Sequence, residues 1–160
     1  MKCGIGQDSH RFEGEDTGKP LLLGGVLFPG EPGLAGNSDA DVVLHAICNA
    51  VSGVSGRNVL GAEADRMLAE QGAACSASYV RAALDGLKGF AVAHVSIAIE
   101  CARPMIAPRT DEMRASIARI VGIEPASVGI TATSGEGLTA FGRGLGVQAT
   151  CIVTCEPTRI

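Results

Sequence analysis

Apolar and polar residues alternate along several stretches of the chain with the period of a β-strand. Between Ala91 and Ala102, valine and isoleucine occupy alternate positions from Val95 onward, and polar or small residues lie between them. This pattern predicts a strand with one buried face. Strands are also predicted at 1–10, at Val128–Thr133 and at Val147–Thr154. Leu21–Phe28 is apolar but contains two glycines, which predicts one strand with a bulge or a close backbone approach.

Four further stretches carry apolar residues at the spacing of an amphipathic helix. Ser38 and Ser76 begin two of them and are the expected N-caps, and Asp41 suits a capping box with Ser38. A loop rich in proline and glycine, Pro29–Gly36, leads into the first of these helices. The predicted helices run from Ser38 to about Gly53, from Ala62 to Gln71, from Ser76 to a stop at Gly89, and from Thr110 to Val121.

The order of these elements predicts an α/β fold, α+β sandwich-like, with a mixed sheet and helices mainly on one face. The length of 160 residues suits one domain, and we expect residues 1–160 to form it. His94 lies on the more polar side of its predicted strand, so we expect it to be structural or at the surface rather than catalytic.

The composition narrows the classes of partner. A net charge of −4 argues against a nucleic-acid partner. No apolar run reaches the length that spans a membrane, and no membrane partner is expected. The six cysteines have no signal peptide before them and no paired metal-ligand spacing. We therefore expect reduced thiols that behave as small hydrophobic residues in a cytoplasmic protein.

The residues with the most distinctive chemistry are Asp8 and His10 near the start of the chain and His45 in the first predicted helix. Asp8 and His10 are two apart in a strand, so both side chains point the same way. Asp41, His45 and Asn49 are spaced by four and form a polar stripe on an apolar helix. If the strand end meets this stripe, one carboxylate and two imidazoles converge, which is the ligand set of a catalytic zinc site.

A plainer interpretation of the same residues is also open. His10 can be a surface residue and His45 a hydrogen-bonded residue of the core. Asp39 and Asp41 can be acidic residues that the helix dipole favours at a helix start. Asp-x-His is a short pattern, and spacing alone does not decide between these interpretations.

A glycine-dense segment between the last two predicted strands is the second candidate site. It runs from Gly135 to Gly144, and its backbone N–H groups can bind phosphate with help from Thr133, Ser134 and Arg143. Glu136 repels phosphate unless a divalent cation lies between them. The alternative is an ordinary hairpin in which the glycines serve only the turn geometry.

Together these residues resemble the 2-C-methyl-D-erythritol 2,4-cyclodiphosphate synthase family over nearly the whole chain. The matching segments are Gly4-x-Gly6-x-Asp8-x-His10, Leu23-Gly24-Gly25-Val26, Ser38-Asp39-Ala40-Asp41 through His45, Arg103-Pro104, Ala132-Thr133-Ser134-x-Glu136 and Gly142-Arg143-Gly144 with Gly146.

The resemblance implies a metal-dependent enzyme of the non-mevalonate isoprenoid pathway. It implies that 4-diphosphocytidyl-2-C-methyl-D-erythritol 2-phosphate is cyclised to the 2,4-cyclodiphosphate with release of CMP. The implied assembly is a homotrimer with active sites between subunits. Zn²⁺ is expected on Asp8, His10 and His45, and a second ion, Mg²⁺ or Mn²⁺, on Glu136.

The resemblance also assigns roles to individual residues. Asn37 and Ser134 are the expected catalytic residues. The residues expected to bind the substrate are Asp8, His10, Asn37, Ser38, Asn58, Gly61 and Arg143. The residues expected to bind the cytidine nucleotide are Cys101, Ala102, Arg103, Pro104, Met105, Ile106, Ala107, Ala132, Thr133 and Ser134.

The chain departs from the family pattern at several of these positions, while the metal ligands are kept. It has Asn37 for histidine, Asn49 for aspartate, Met105 for lysine, Ser134 for threonine, Leu145 for glutamate, and Val59-Leu60-Gly61 for Asp-Ile-Gly. If Asn58 takes over the polyol contact, restoring aspartate at position 59 should improve turnover. The alternatives are a paralogue that uses another cytidylylated substrate and a trimeric binding protein without enzymatic activity.

Overall fold

A four-stranded mixed sheet forms the centre of the computed structural model, which describes residues 1–14, 17–72 and 75–158. Its strands are β1 (Lys2–Arg11), β4 (Phe90–Glu100), β5 (Val128–Thr133) and β6 (Gly146–Pro157). They lie in the order β1-β6-β4-β5. Strand β6 is antiparallel to both of its neighbours, whereas β4 and β5 are parallel. The prediction of a mixed sheet is confirmed.

The segment predicted as one bulged strand is in fact a β-hairpin. It consists of β2 (Pro20–Leu23) and β3 (Val26–Pro32), joined by Gly24 and Gly25. Both glycines have positive φ, 62° and 76°, as a two-residue hairpin turn of type I′ requires. The dipeptide therefore reverses the chain, and β3 occupies part of the predicted Pro29–Gly36 loop.

Four α-helices accompany the sheet: α1 (Val42–Ser55), α2 (Ala62–Gln71), α3 (Ser76–Leu84) and α4 (Thr110–Val121). The bounds predicted for α2 and α4 are confirmed. The N-cap of α1 is Asp41 rather than Ser38, because the Asp41 carboxylate accepts the backbone N–H groups of Val43 and Leu44. Among the described residues, no helix combines the length and the apolar character needed to cross a membrane.

Helix α3 also begins differently from the prediction. Its N-cap position is Cys75, and Ser76 is the first residue inside the helix. The Ser76 side chain turns toward Asp39 and His45 instead of capping its own helix. The helix ends at Leu84, before the predicted stop at Gly89.

Helix α1 lies directly against β1, and two glycines make this contact possible. A Cβ atom on Gly4 would lie 2.1 Å from the carbonyl oxygen of Ala50, and one on Gly6 would lie 2.2 Å from that of Ala46. On the opposite face of the sheet, Ile5 pairs with Ile152 and both are exposed. The prediction that helices cover mainly one face is confirmed.

The six cysteines are free thiols, and four of them are buried. Burial raises the thiol pKa of Cys48 and of Cys151 to about 12 and that of Cys101 to about 11. These thiols are therefore uncharged at neutral pH and pack as small apolar groups, as the sequence predicts.

Candidate metal centre and substrate cavity

The three predicted ligands converge on one point. Asp8 and His10 project from β1, and His45 lies in the first turn of α1. The Asp8 Oδ2 atom lies 2.9 Å from His10 Nε2 and 2.9 Å from His45 Nδ1. The two ring nitrogens are 3.2 Å apart. The close contact of α1 with β1 at Gly6 brings these groups together across the two elements.

The spacing of these atoms suits a metal ion. Ligand atoms held tetrahedrally about 2.0–2.1 Å from zinc lie about 3.3 Å from one another. The Asp8, His10 and His45 ligand atoms all lie within 4.8 Å of one another, and the closest pairs approach the tetrahedral spacing. One carboxylate and two imidazoles leave a fourth position for water or substrate. The residues present therefore fit the predicted zinc ion.

The electrostatics of the cluster favour a charged carboxylate. Burial raises the pKa of Asp8, but hydrogen bonds and charge interactions with His10 and His45 outweigh burial and hold it well below its usual range. The hydrogen bond to Asp8 raises the pKa of His10 against the opposing effect of its own burial. The carboxylate is thus ready to bind a cation without first losing a proton.

Each imidazole is oriented by a hydrogen bond on the side away from the cluster. His10 Nδ1 lies 2.7 Å from the carbonyl oxygen of Ala35, and His45 Nε2 lies 2.9 Å from Ser76 Oγ. His10 is half-buried and His45 is buried. His10 is therefore not the surface residue of the plainer interpretation, although His45 is indeed hydrogen-bonded at the edge of the core.

The predicted polar stripe on α1 is only partly present. Asp41 is fully buried at the helix start, and its carboxylate accepts the N–H groups of Gly24 and Gly25 at 2.8 and 2.6 Å. It ties the β2–β3 hairpin to α1 and does not face the ligands. Asn49 donates from Nδ2 to the carbonyl oxygen of Gln7 at 3.1 Å and lies at the edge of the cavity.

A cavity of about 450 Å³ opens beside the triad. Besides Asp8 and His10, three further predicted substrate residues line it: Asn37, Ser38 and Gly61. Asn58 is exposed and is not part of its lining, and Val59 is fully buried in the core. Val59 therefore does not line the cavity in this chain, which argues against the expected benefit of aspartate at this position.

The predicted nucleotide segments meet at the ends of the two parallel strands. Strands β4 and β5 run in the same direction, so the loops after Glu100 and Thr133 leave the sheet at one edge. The Cys101 N–H donates to the carbonyl oxygen of Thr133 at 3.1 Å, and the Ala102 N–H donates to that of Phe141 at 3.0 Å. Ligand crevices commonly form at the carboxyl ends of parallel strands. Among the described residues, neither segment lines the triad cavity.

The glycine-dense segment is not a hairpin, because β4 lies between β5 and β6 in the sheet. Its exposed residue Glu136 has a φ of 52° and stands between two glycines with φ of 71°. The Glu136 N–H donates to Ser134 Oγ at 3.3 Å. A left-handed conformation at a residue other than glycine is a strained feature found often at functional sites. Glu136 lies outside the triad cluster within this chain.

Arg143, the remaining predicted substrate residue, is exposed and donates from Nη1 to the carbonyl oxygen of Leu138 at 3.3 Å. It too lies outside the lining of the triad cavity. The nearby Leu138 is 81% exposed, whereas Phe141 of the same segment accepts a hydrogen bond from the Ala102 N–H at the sheet edge.

Three residues that the sequence does not single out for this site belong to it. Asp39 and Ser76 lie behind His45, and Asp65 on α2 lines the cavity. Ser76 and His45 are 31 residues apart, and no local pattern predicts their contact. Asp65 follows Gly61 by about one helical turn, and the predicted bounds of α2 place it near the expected substrate position. The sequence therefore contained enough information to predict this residue.

The comparisons with known proteins agree with this geometry. The model of the YgbB family matches residues 1–156. The 2-C-methyl-D-erythritol 2,4-cyclodiphosphate synthase of Chlamydia muridarum is 50% identical over 154 residues, which are 96% of this chain and 86% of the relative.

Two solved structures share the fold. The bifunctional IspDF of Campylobacter jejuni superposes with a TM-score of 0.87 at 27% identity; the match covers 98% of this chain but spans 42% of that protein. A CDP-bound form of 2C-methyl-D-erythritol-2,4-cyclodiphosphate synthase superposes with a TM-score of 0.80 at 26% identity, over 97% of this chain and 100% of that one. The triad geometry, the family match and these relatives lead to one conclusion: this chain belongs to the YgbB family.

Proposed function

We propose that this chain is a 2-C-methyl-D-erythritol 2,4-cyclodiphosphate synthase of the non-mevalonate isoprenoid pathway. It cyclises 4-diphosphocytidyl-2-C-methyl-D-erythritol 2-phosphate and releases CMP. The observation that carries the proposal is the convergence of Asp8, His10 and His45 beside an open cavity, in a chain half identical to a relative of that name. The free thiols suit a reducing cytoplasm, where we place the reaction.

The reaction needs positioning more than it needs a protein nucleophile. An oxygen of the substrate's 2-phosphate forms a bond to the diphosphate phosphorus attached to the erythritol. The bond from that phosphorus to the CMP oxygen breaks, and CMP leaves. Zn²⁺ on the triad, when bound, supplies polarisation of a phosphoryl oxygen. The residues of the chain hold the two phosphates in line and exclude water.

The remaining site residues divide this work. Asn37 and Ser38 line the cavity beside the triad, where an amide and a hydroxyl can donate hydrogen bonds to a phosphate. Gly61 lets the polyol approach the backbone at the far side. Glu136 is the proposed ligand of Mg²⁺ or Mn²⁺, with Ser134 beside it and Arg143 nearby as a phosphate contact. The segments 101–107 and 132–134 are the proposed cytidine site; a relative of the same fold has been solved with CDP bound, and both segments leave the sheet at one edge.

We further propose a homotrimer in which each active site is shared between subunits. In the part of the chain described, the triad cavity contains neither the nucleotide segments nor Glu136. A diphosphate substrate must reach both parts, and a neighbouring copy can supply the second part. The exposed pair Ile5 and Ile152 on the open sheet face provides apolar surface that an assembly would cover.

In this proposal the contact to the polyol is made by a residue of α2 rather than by Asn58. Val59 is buried, and the exposed carboxylate on the cavity wall belongs to Asp65. A carboxylate accepts hydrogen bonds from hydroxyl groups. We therefore assign Asp65, rather than Asn58, to the methylerythritol hydroxyls.

The test is to incubate the purified protein with Zn²⁺, Mg²⁺ and the cytidylylated methylerythritol phosphate and to follow the products by phosphorus NMR. The proposal requires cyclic diphosphate and CMP in equal amounts. The variant His45→Ala is the matched control: we expect it to lose bound zinc and turnover together. Full turnover by metal-free His45→Ala protein would remove the triad from the reaction.

A second candidate is a paralogue that performs the same reaction on another cytidylylated compound. The observation that favours it is the apolar character of the cavity wall at Leu60, Ala64 and Leu68, which suits a less hydroxylated substrate. Zinc-loaded protein that leaves the methylerythritol substrate unchanged but releases CMP from another cytidine diphosphate ester would establish this candidate. Protein that binds no zinc would instead support a binding role without catalysis.

A further inference from the structure

The two nitrogens of His45 have different partners. Nδ1 faces Asp8 and His10 in the triad, whereas Nε2 lies 2.9 Å from Ser76 Oγ on the other side of the ring. Ser76 is fully buried at the first residue of α3. Its position behind the ring is thus closed to solvent, and its hydroxyl is the group that Nε2 meets.

Asp39 determines the direction of this hydrogen bond. Its carboxylate accepts both the Ser76 hydroxyl, at Oδ1, and the Ser76 backbone N–H, at Oδ2 and 3.0 Å. Because a carboxylate only accepts, the single hydroxyl proton of Ser76 points at Asp39. Ser76 Oγ is then an acceptor toward His45, so Nε2 carries a ring proton, and Nδ1, which faces Asp8, is the nitrogen whose lone pair would bind a metal ion in place of its proton.

The backbone around Asp39 is shaped for this contact. Asp39 and Asp41 are separated by Ala40, whose φ is 54°, a conformation uncommon for a residue other than glycine. The two carboxylates consequently bind different elements, Asp39 the start of α3 and Asp41 the β2–β3 hairpin. Strain of this kind persists where the surrounding structure holds it and is frequent at functional sites.

We infer that Ser76, held by Asp39, is a positioning residue that sets the tautomer and orientation of the metal ligand His45. The inference rests on the proposed metal site, although Ser76 and Asp39 are neither among the three clustered ligands nor in the lining of the cavity. His10 is oriented by a backbone carbonyl, which substitution cannot remove. His45 is therefore the ligand whose orientation depends on side chains that can be exchanged.

The test measures metal binding by the purified full-length protein, without substrate. Affinity for Zn²⁺ is determined by competition with a chromophoric chelator, and Co²⁺ absorption reports the ligand geometry. We expect Ser76→Ala to weaken zinc binding about 10- to 100-fold, the range typical for loss of a second partner of a metal ligand. Ser76→Thr keeps the hydroxyl and should restore most of the affinity.

The variant Asp39→Asn separates tautomer control from simple packing. The amide keeps the volume but can donate to Ser76 Oγ, which frees the hydroxyl proton to point at His45 and favours the wrong tautomer. We expect weaker zinc binding and an altered Co²⁺ spectrum although Ser76 is intact. Ser116→Ala is the matched control, because Ser116 is also buried and its hydroxyl has no hydrogen-bond partner among the described residues.

The outcomes are distinct from those that test the reaction. Zinc affinity and Co²⁺ spectra of Ser76→Ala and Asp39→Asn that match those of Ser116→Ala would overturn the positioning role. If Ser76→Ala does not fold, Asp39→Asn decides the matter alone. Weakened zinc binding together with absent turnover in the unsubstituted protein would sustain the positioning role and reject the proposed function.

Discussion

Two walls of the triad cavity differ in how closely they are packed. One wall is formed by β1 and α1, whose backbones touch at Gly4 and Gly6 and leave no room for a Cβ atom. The second wall is the start of α2 and is packed more loosely. Its N-cap residue Gly61 has no atom within 4 Å of the place where a Cβ would lie, and Asp65 is exposed. The proposed metal ligands His10 and His45 belong to the first wall, and the substituted segment Val59-Leu60-Gly61 leads into the second.

The difference in packing between the two walls indicates which positions of the site can vary in sequence. Ligand atoms must keep their spacing within a few tenths of an ångström, and close backbone packing provides that rigidity. The proposed contact to substrate hydroxyl groups, Asp65, is an exposed side chain, and most substitutions at exposed positions change stability little. The chain therefore keeps the three triad residues, while the residues at the polyol positions of the family pattern differ.

The largest effect is expected where the second wall meets the core. Val59→Asp introduces a carboxylate at a fully buried position, and we expect it to lower the free energy of unfolding by about 3 to 5 kcal/mol. Urea denaturation of the metal-free protein measures this. Asn58→Asp adds the same charge at the exposed neighbour and should change stability by less than about 0.5 kcal/mol. A stable, more active Val59→Asp protein would show that position 59 faces the substrate after all.

The packing of the first wall is tested by two glycines of the same interface. Gly6→Ala places a methyl group 2.2 Å from a helix carbonyl oxygen, so we expect a loss of about 3 kcal/mol. Zinc affinity should fall as well, because the strand carries Asp8 and His10. Gly53→Ala on α1 has 3.5 Å of space to Ile5 and should gain up to about 1 kcal/mol from helix propensity. Thermal melts and chelator competition compare the pair, and equal behaviour would contradict the close-packed wall.

The two walls also differ in how much of their structure could be predicted from the sequence. The spacing of Asp8 and His10 in a strand and of His45 on a helix allowed the triad without requiring it, and the family resemblance was needed to favour it over the plainer interpretation. The N-cap of α1 was not predictable, because both Ser38 and Asp41 suit that position locally. The choice depends on the N–H groups of Gly24 and Gly25, about 16 residues earlier in the chain.

The structure of the second wall could not be predicted without knowledge of tertiary contacts. The bounds of α2 follow from its sequence, but the burial of Val59 depends on packing with distant residues. A family motif indicates which position usually contacts the substrate, and it does not show whether the side chain at that position points outward. For the same reason the contact of Ser76 with His45, across 31 residues, was not predicted.

Glu136 tests whether the metal chemistry extends beyond the first wall. Glu136→Gln removes the charge that a second cation requires, and we expect turnover at a fixed magnesium concentration to fall about 10- to 100-fold. Higher magnesium should recover part of it. Zinc content should not change, since Glu136 lies outside the triad cluster. Glu124→Gln, at another exposed position, is the control. An unchanged response to magnesium would make Glu136 a residue of the turn only.

The smallest effect is expected on the exposed wall itself. Asp65→Ala removes the proposed acceptor for the substrate hydroxyl groups, and a hydrogen bond to an exposed charged group is worth about 1.5 kcal/mol, or roughly a tenfold rise in KM. Zinc affinity and stability should change little, because Asp65 is exposed and is not one of the clustered ligands. Glu70→Ala removes the same charge from α2 at a residue that does not line the cavity. If both variants raise KM equally, the charge of α2 determines the affinity for the substrate. Asp65 then makes no specific contact with the substrate hydroxyl groups.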